Sequence, residues 1–224
     1  MRLNKFIASA TGKSRREADD LIAAGRVKID EKVASLGART DDLKKITFDG
    51  KELTLPTEHT FVMLHKPIGY VSSRNAQAKD AKTLYELLPT ELQKLKTVGR
   101  LDRDSSGLIL LTDDGDFTFS MTHPKFIKTK IYEVELDKVL EPLHQQMISD
   151  FGIDLPDGKS QLALEKTSEN RKSWRVIMHE GRNRQIRRTF AALGYTVTKL
   201  HRTDFGNYHL NNLPVGQWII EKKR

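Results

Sequence analysis

Apolar positions recur along this chain with two periods, and the period changes where the elements change. Leu3, Phe6, Ile7 and Ala10 follow the i, i+3, i+4, i+7 spacing of an amphipathic helix. Ser14-Arg15-Arg16-Glu17 is a capping-box pattern that opens a second helix, with Ala18, Leu21 and Ile22 inward and Gly25 as its stop. Val27 and Ile29 then alternate with Lys28, which predicts a short strand. Ile46-Thr47-Phe48, a turn at Asp49-Gly50 and a continuation through Leu53 and Leu55 predict a hairpin. Pro56-Thr57-Glu58 reads as a linker, dividing the chain into residues 1–58 and 59–224.

Beyond that boundary, strand-like segments dominate. Thr60–His65 is an apolar strand that stops at Lys66-Pro67-Ile68-Gly69-Tyr70. Leu108–Thr112 reads as a buried strand, and Ile131–Leu136 alternates with period two. Trp174–Met178 and Tyr195–Leu200 are further strand candidates; Pro142–Phe151 and Arg184–Leu193 are the helical ones. Many strands with few helices between them predict an α+β fold, a small helical N-terminal unit followed by a mixed, largely antiparallel sheet.

Composition narrows the chemistry. The chain has 224 residues and no cysteine, which removes disulfides, thiol catalysis and cysteine-ligated zinc together. No segment has the apolar length of a membrane span or the pattern of a secretory leader, so a cytoplasmic protein without membrane contact is expected. The net charge is +8; between Arg171 and Arg202, nine Lys and Arg stand against the single acid Glu180, an excess as large as that of the whole chain. A localised basic stretch suits a polyanion, although a solvated helical face has the same composition. The seven histidines show no zinc-hydrolase spacing, and no phosphate-loop, dinucleotide or nucleophile-elbow pattern occurs.

One stretch combines acid, arginine and core: GRLDRDSSGLILLTDDG, residues 99–115. An isolated R-L-D reads as a turn acid. A carboxylate held against apolar residues stays charged only if a guanidinium opposes desolvation, and so opposed it can serve as a nucleophile. EGRNRQIRRTF, residues 180–190, offers that partner: on a helix Arg184, Arg187 and Arg188 share a face, with Ile186 and Phe190 as anchors. The same cluster, at a helix start, also suits phosphate.

Two resemblances gather these segments. RLNKFIASATGKSRREADDLIAAGRVKIDEKVA resembles an S4 domain, an RNA-binding module, with Arg2, Lys5, Lys13, Arg15, Arg16, Arg26 and Lys28 as its candidate RNA contacts. MLHKPIGYVSS, GRLDRDSSGLILLTDDGD, KTKIYEVEL, EGRNRQIRR and TKLHR together resemble the RsuA family of pseudouridine synthases. His65 and Thr189 stand where the resemblance leads one to expect Asn and Met. The resemblance implies that Asp102 is the nucleophile, that Tyr132 stacks on the target uracil and that Arg187 pairs with the catalytic aspartate. It further implies that Arg100 helps displace the flipped base and that Leu200 packs near the uracil. Arg184, Arg188 and Lys66 complete the expected substrate-binding set.

The implied reaction moves uracil from its N1 to its C5 attachment on ribose, imports no group and needs neither cofactor nor metal. Its substrate would be ribosomal RNA or a ribosome assembly intermediate, with the large subunit favoured by the tail TKLHRTDFGNYHLNNLPVGQW, and the enzyme would act as a monomer. Two other readings stand beside it. A non-catalytic S4-bearing assembly factor explains the basic stretch but not the R-L-D block. A glycosidase-like pair, Asp102 with Asp104, is disfavoured because residues two apart in an extended segment point to opposite sides.

Overall fold

The computed structural model describes residues 1–41, 44–74 and 81–222. They fall into two compact units, residues 1–60 with 113–115, and residues 61–112 with 116–224.

In the first unit, α1 (Leu3–Thr11) and α2 (Arg15–Ala23) bury Leu3, Phe6, Ile7, Ala18 and Ile22 together with Val27 and Ile46. The capping box is present: Ser14 Oγ accepts the Glu17 N–H at 3.1 Å, and the Glu17 carboxylate accepts that of Ser14 at 2.7 Å. β1 (Val27–Ile29), β2 (Lys32–Val33), β3 (Ile46–Phe48) and β4 (Lys51–Glu52) form an antiparallel sheet in the order β2-β1-β3-β4. Asp49 and Gly50 both take positive φ, as a two-residue hairpin turn demands. The hairpin is shorter than its apolar pattern suggested. Leu53 and Leu55 lie beyond β4, half-buried against the same core.

The second unit is built on one sheet of β5 (Phe61–Lys66), β6 (Lys96–Val98), β7 (Ser106–Thr112), β8 (Lys130–Leu136), β11 (Ala163–Lys166), β12 (Ser173–Met178), β13 (Val197–Phe205), β14 (Tyr208–His209) and β15 (Trp218–Glu221). Its main path runs β11-β12-β8-β13-β7-β5-β15, with β14 on β13 and β6 on β7. Pairing of these strands is antiparallel except between β13 and β7. The unit also holds α3 (Gly115–Thr122), α4 (Pro142–Gln146), α5 (Gln185–Ala191) and the hairpin β9 (Ile153–Leu155) with β10 (Gly158–Ser160).

β7 explains its own sequence. Leu108 and Leu110 enter one core beside Phe61, Phe117 and Tyr208, while Ile109 and Leu111 enter another beside Leu64, Val134 and Trp174. A strand buried on both faces needs an unbroken apolar run rather than alternation. Gly107 marks where β13 crosses closest: a Cβ there would lie 2.2 Å from the Arg202 carbonyl oxygen, and φ is +107°.

Three expected elements are corrected. The helix over 142–151 is α-helical only to Gln146 and continues as a π-turn, Met147–Phe151. The strand at Tyr195–Leu200 is β13, which starts at Val197 and runs on to Phe205. Tyr195 precedes it with its ring buried, its hydroxyl bonded to His144 at 2.7 Å. Finally, α5 begins at Gln185, because Arg184 sits in the left-handed region at φ +46°.

Candidate active site

Asp102 lies in a turn closed by Ser105 N–H donating to its carbonyl at 3.1 Å. The segment after β5 holds this turn from beneath. The Gly69 N–H donates to Arg103 O at 2.8 Å, and Ser72 Oγ both donates to Leu101 O and accepts from Leu101 N. Lys66 Nζ donates to Ser105 O at 2.6 Å and to Pro67 O at 2.9 Å. The K-P-I-G-Y-V-S block is therefore the clamp on the Asp102 turn, a role that its sequence did not reveal because it depends on backbone atoms far along the chain. This corrects the expectation for Lys66, which is fully buried and has no surface to offer a substrate. Burial lowers its ammonium from 10.5 to about 8, against the opposing pull of Asp102 and Asp104.

A cavity of about 580 Å³ opens on this turn, lined among others by Arg100, Asp102, Tyr132, Arg184, Leu200 and Arg202. Tyr132 and Leu200 are nearly buried in its wall, on β8 and β13, while Arg100 is exposed. Asp102 keeps about a third of its side chain accessible.

The arginines of residues 180–190 divide. Arg184 Nη1 stands 3.5 Å from Asp102 Oδ2, and both its Nη atoms bond Asp104, at 3.0 and 2.8 Å. Hydrogen bonding from Arg184 holds the Asp104 carboxyl below the usual carboxylate range. Arg187 donates to Val197 O at 2.6 Å and Asp104 O at 2.8 Å, with Nε 3.3 Å from Asp104 Oδ2. The guanidinium beside Asp102 is thus Arg184, and Arg187, expected there, grips Asp104. Arg188 leaves the group altogether and pairs with Asp157 in the β9–β10 turn, at 2.9 and 2.7 Å.

The two acids are also closer in orientation than an extended segment would allow. Residues 102–105 turn, so both carboxylates reach Arg184, and the expected opposite facing is wrong. They remain unequal, since Asp102 lines the cavity and Asp104 is taken up by two arginines.

Arg202 and Lys130 also line the cavity and were not singled out by the sequence. Arg202 is buried, its Nε donates to Leu108 O at 2.7 Å, and its Nη2 finds no partner among the described residues. Burial, and then Arg202, lower Lys130 to about 8. Much of the linear +8 stretch is matched by acids from elsewhere in the chain: Arg175 pairs with Glu165, Arg182 and Arg188 with Asp157, and Arg184 with Asp104. His65 and Thr189 are accommodated inside the fold, His65 against Leu213 O at 2.7 Å and Thr189 against Ser160 Oγ at 2.7 Å.

In the first unit, Arg2, Arg15, Arg16, Arg26 and Lys28 are exposed, and Lys5 and Lys13 half-buried. Arg26 is already engaged, ion-paired with Asp49 and lying 4.9 Å over the Phe48 ring. Among the described residues, no group of three or more His, Asp or Glu is gathered to hold a metal ion, and no helix is long and apolar enough to cross a membrane.

Residues 60–192 match the family model of RNA pseudouridylate synthases, and residues 1–39 that of the S4 domain. The chain is 36% identical to ribosomal large subunit pseudouridine synthase B of Bacillus subtilis, over 96% of this chain and 89% of the relative. It is also 36% identical to ribosomal small subunit pseudouridine synthase A of Vibrio cholerae, over 94% and 91%. A crystal structure of a pseudouridylate synthase superposes with a TM-score of 0.70 at 34% identity, covering 99% of this chain and 96% of that one.

Proposed function

Since the chain belongs to the RNA pseudouridylate synthase family and is an isomerase of it, we propose that it converts a uridine of ribosomal RNA to pseudouridine with Asp102 as nucleophile. The observation that carries this reading is that Asp102, and not its neighbour Asp104, lines the cavity together with Tyr132 and Leu200. Its turn is pinned by Lys66, Gly69 and Ser72, which fixes the attack geometry before substrate arrives.

A uridine within folded RNA hides its C1′, so the nucleotide flips into the cavity at a cost of a few kcal/mol. Stacking on the Tyr132 ring and contact with Leu200 offset part of that cost. Arg100, exposed at the cavity wall, takes the place the base has left. Asp102 attacks C1′, the C1′–N1 bond breaks, and uracil leaves with the bonding pair. The freed uracil turns over, C5 bonds to C1′ and displaces the carboxylate; the C5 proton departs and N1 takes one up. Atoms and charge balance without an added reagent. Arg184 stands beside the Asp102 carboxylate as its ion-pair partner, and Arg187 orders the turn through Asp104.

Ribosomal RNA is what the named relatives act on, and both subunits occur among those names. We take large-subunit RNA as the favoured substrate. Purified protein incubated separately with unmodified large- and small-subunit RNA, followed by carbodiimide labelling and reverse-transcription stops, tests the reading. One new stop is expected, lost in Asp102→Asn by on the order of 10⁴-fold in rate while RNA affinity stays near wild type. Full turnover by that variant would remove Asp102 from its role. Tight binding without modification of RNA or of assembling particles would favour a non-catalytic RNA-binding protein.

A further inference from the structure

Next to the cavity lies a surface that this chemistry leaves unused. α3 runs into a short 3-10 turn, Pro124–Phe126, and between them Phe119, His123 and Phe126 form a cluster. The Phe119 ring lies 4.6 Å from that of His123 and 5.7 Å, edge-on, from that of Phe126. Phe119 is 45% exposed, Phe126 40% and the adjacent Ile127 68%. Single exposed apolar residues are ordinary, but three large ones together mark a contact surface.

Two further features make the surface specific. Lys125 Nζ stands over both phenylalanine rings, 5.1 Å from the Phe119 centroid and 4.6 Å from that of Phe126. Ile127 takes φ +43°, a conformation that β-branched residues avoid and that persists where the surroundings enforce it. The surface is continuous with the cavity, since Thr122, His123, Pro124 and Lys128 line it.

We propose that Phe119, Phe126 and Lys125 form a stacking platform for unpaired RNA bases flanking the nucleotide that enters the cavity; this rests on the reading that the cavity receives that nucleotide. Every base has a π-face, so aromatic rings beside cations grip single strands with little regard to sequence. In the free protein the Lys125 ammonium covers the rings by cation–π attraction. A backbone phosphate is the stronger partner for that ammonium. Lys125 then moves to the phosphate and leaves the ring faces to the bases.

The test uses the full chain and a single-stranded RNA of about twelve nucleotides with 2-aminopurine beside its one uridine. Phe119→Ala and Phe126→Ala are each expected to weaken binding at least about fivefold and to reduce the fluorescence quench on binding. Phe119→Leu and Phe126→Leu keep apolar bulk and preserve folding, and are expected to lose affinity as well. The salt dependence of binding stays unchanged in these variants, whereas Lys125→Gln lowers its slope by about 0.7. Affinity within twofold of wild type in the double alanine variant, or leucine variants that bind normally, would overturn the platform. So would unchanged RNA binding with lost binding to ribosomal particles, which would assign the surface to a protein. None of these readouts needs turnover, so an inactive cavity and a mistaken platform give different results.

Discussion

Lys66 keeps an ammonium where no water reaches it, and one of the two carbonyls it bonds, Ser105 O, ends the Asp102 turn. Lys66→Met leaves those carbonyls without their donor and loosens the turn; kcat is expected to fall about 10- to 100-fold in a pseudouridine-formation time course. The sign of its pH effect follows from its lowered value of about 8. Between that and 10.5 the unfolded chain holds a proton that the folded one has released, so the Lys66 contribution to stability rises with pH across this window. The melting difference, wild type minus Lys66→Met, is therefore expected to grow from pH 8 to pH 10. Gly107 is constrained as tightly: with φ +107° and the Arg202 carbonyl 2.2 Å from where a Cβ would sit, Gly107→Ala must push β13 off β7. A loss of at least about 3 kcal/mol is expected, seen as a fall of roughly 10 °C in melting midpoint.

At the scale of elements, α5 assigns its arginines by geometry rather than by count. Arg187 is mostly buried and ties α5 to Asp104 and Val197, whereas Arg188 forms a partly exposed pair with Asp157. Arg187→Ala is expected to cut kcat about 100-fold by releasing the Asp102–Asp104 turn. Arg188→Ala should cost under about 1 kcal/mol and change kcat little, measured by melting and the same time course. α2 depends on its cap: Ser14→Ala removes one half of a reciprocal pair and is expected to cost about 1 kcal/mol, read as faster hydrogen exchange of α2 amides.

For the whole molecule, charge matters through the phosphates it neutralises. The excess of +8 is spread over cations, many of which carry internal acid partners, so RNA affinity will depend on those left exposed. Arg15→Gln with Arg16→Gln, on the exposed side of α2, is expected to weaken binding to all RNA sequences alike. The slope of log affinity against log salt should fall by about 0.7 to 0.9 for each phosphate that is no longer neutralised, with kcat preserved at saturation.

Linear pattern was enough for the α+β class, the family and most strands, because each rests on neighbouring residues: Leu108–Leu111 as an unbroken run, Ile131–Leu136 as alternation, Ser14–Glu17 as a cap. The family resemblance named Asp102, Tyr132 and Leu200 for the candidate site, and one cavity is lined by all three. Which arginine faces which acid was settled only by the packed chain, since a left-handed Arg184 and a turn at residues 102–105 swing side chains in ways that spacing does not encode. Packing likewise turned Lys66 from an expected substrate contact into a buried clamp, and brought Arg202 to the cavity through the parallel pairing of β13 with β7. Those outcomes depend on backbone atoms from distant segments meeting, and a linear pattern of residue types carries no record of such meetings.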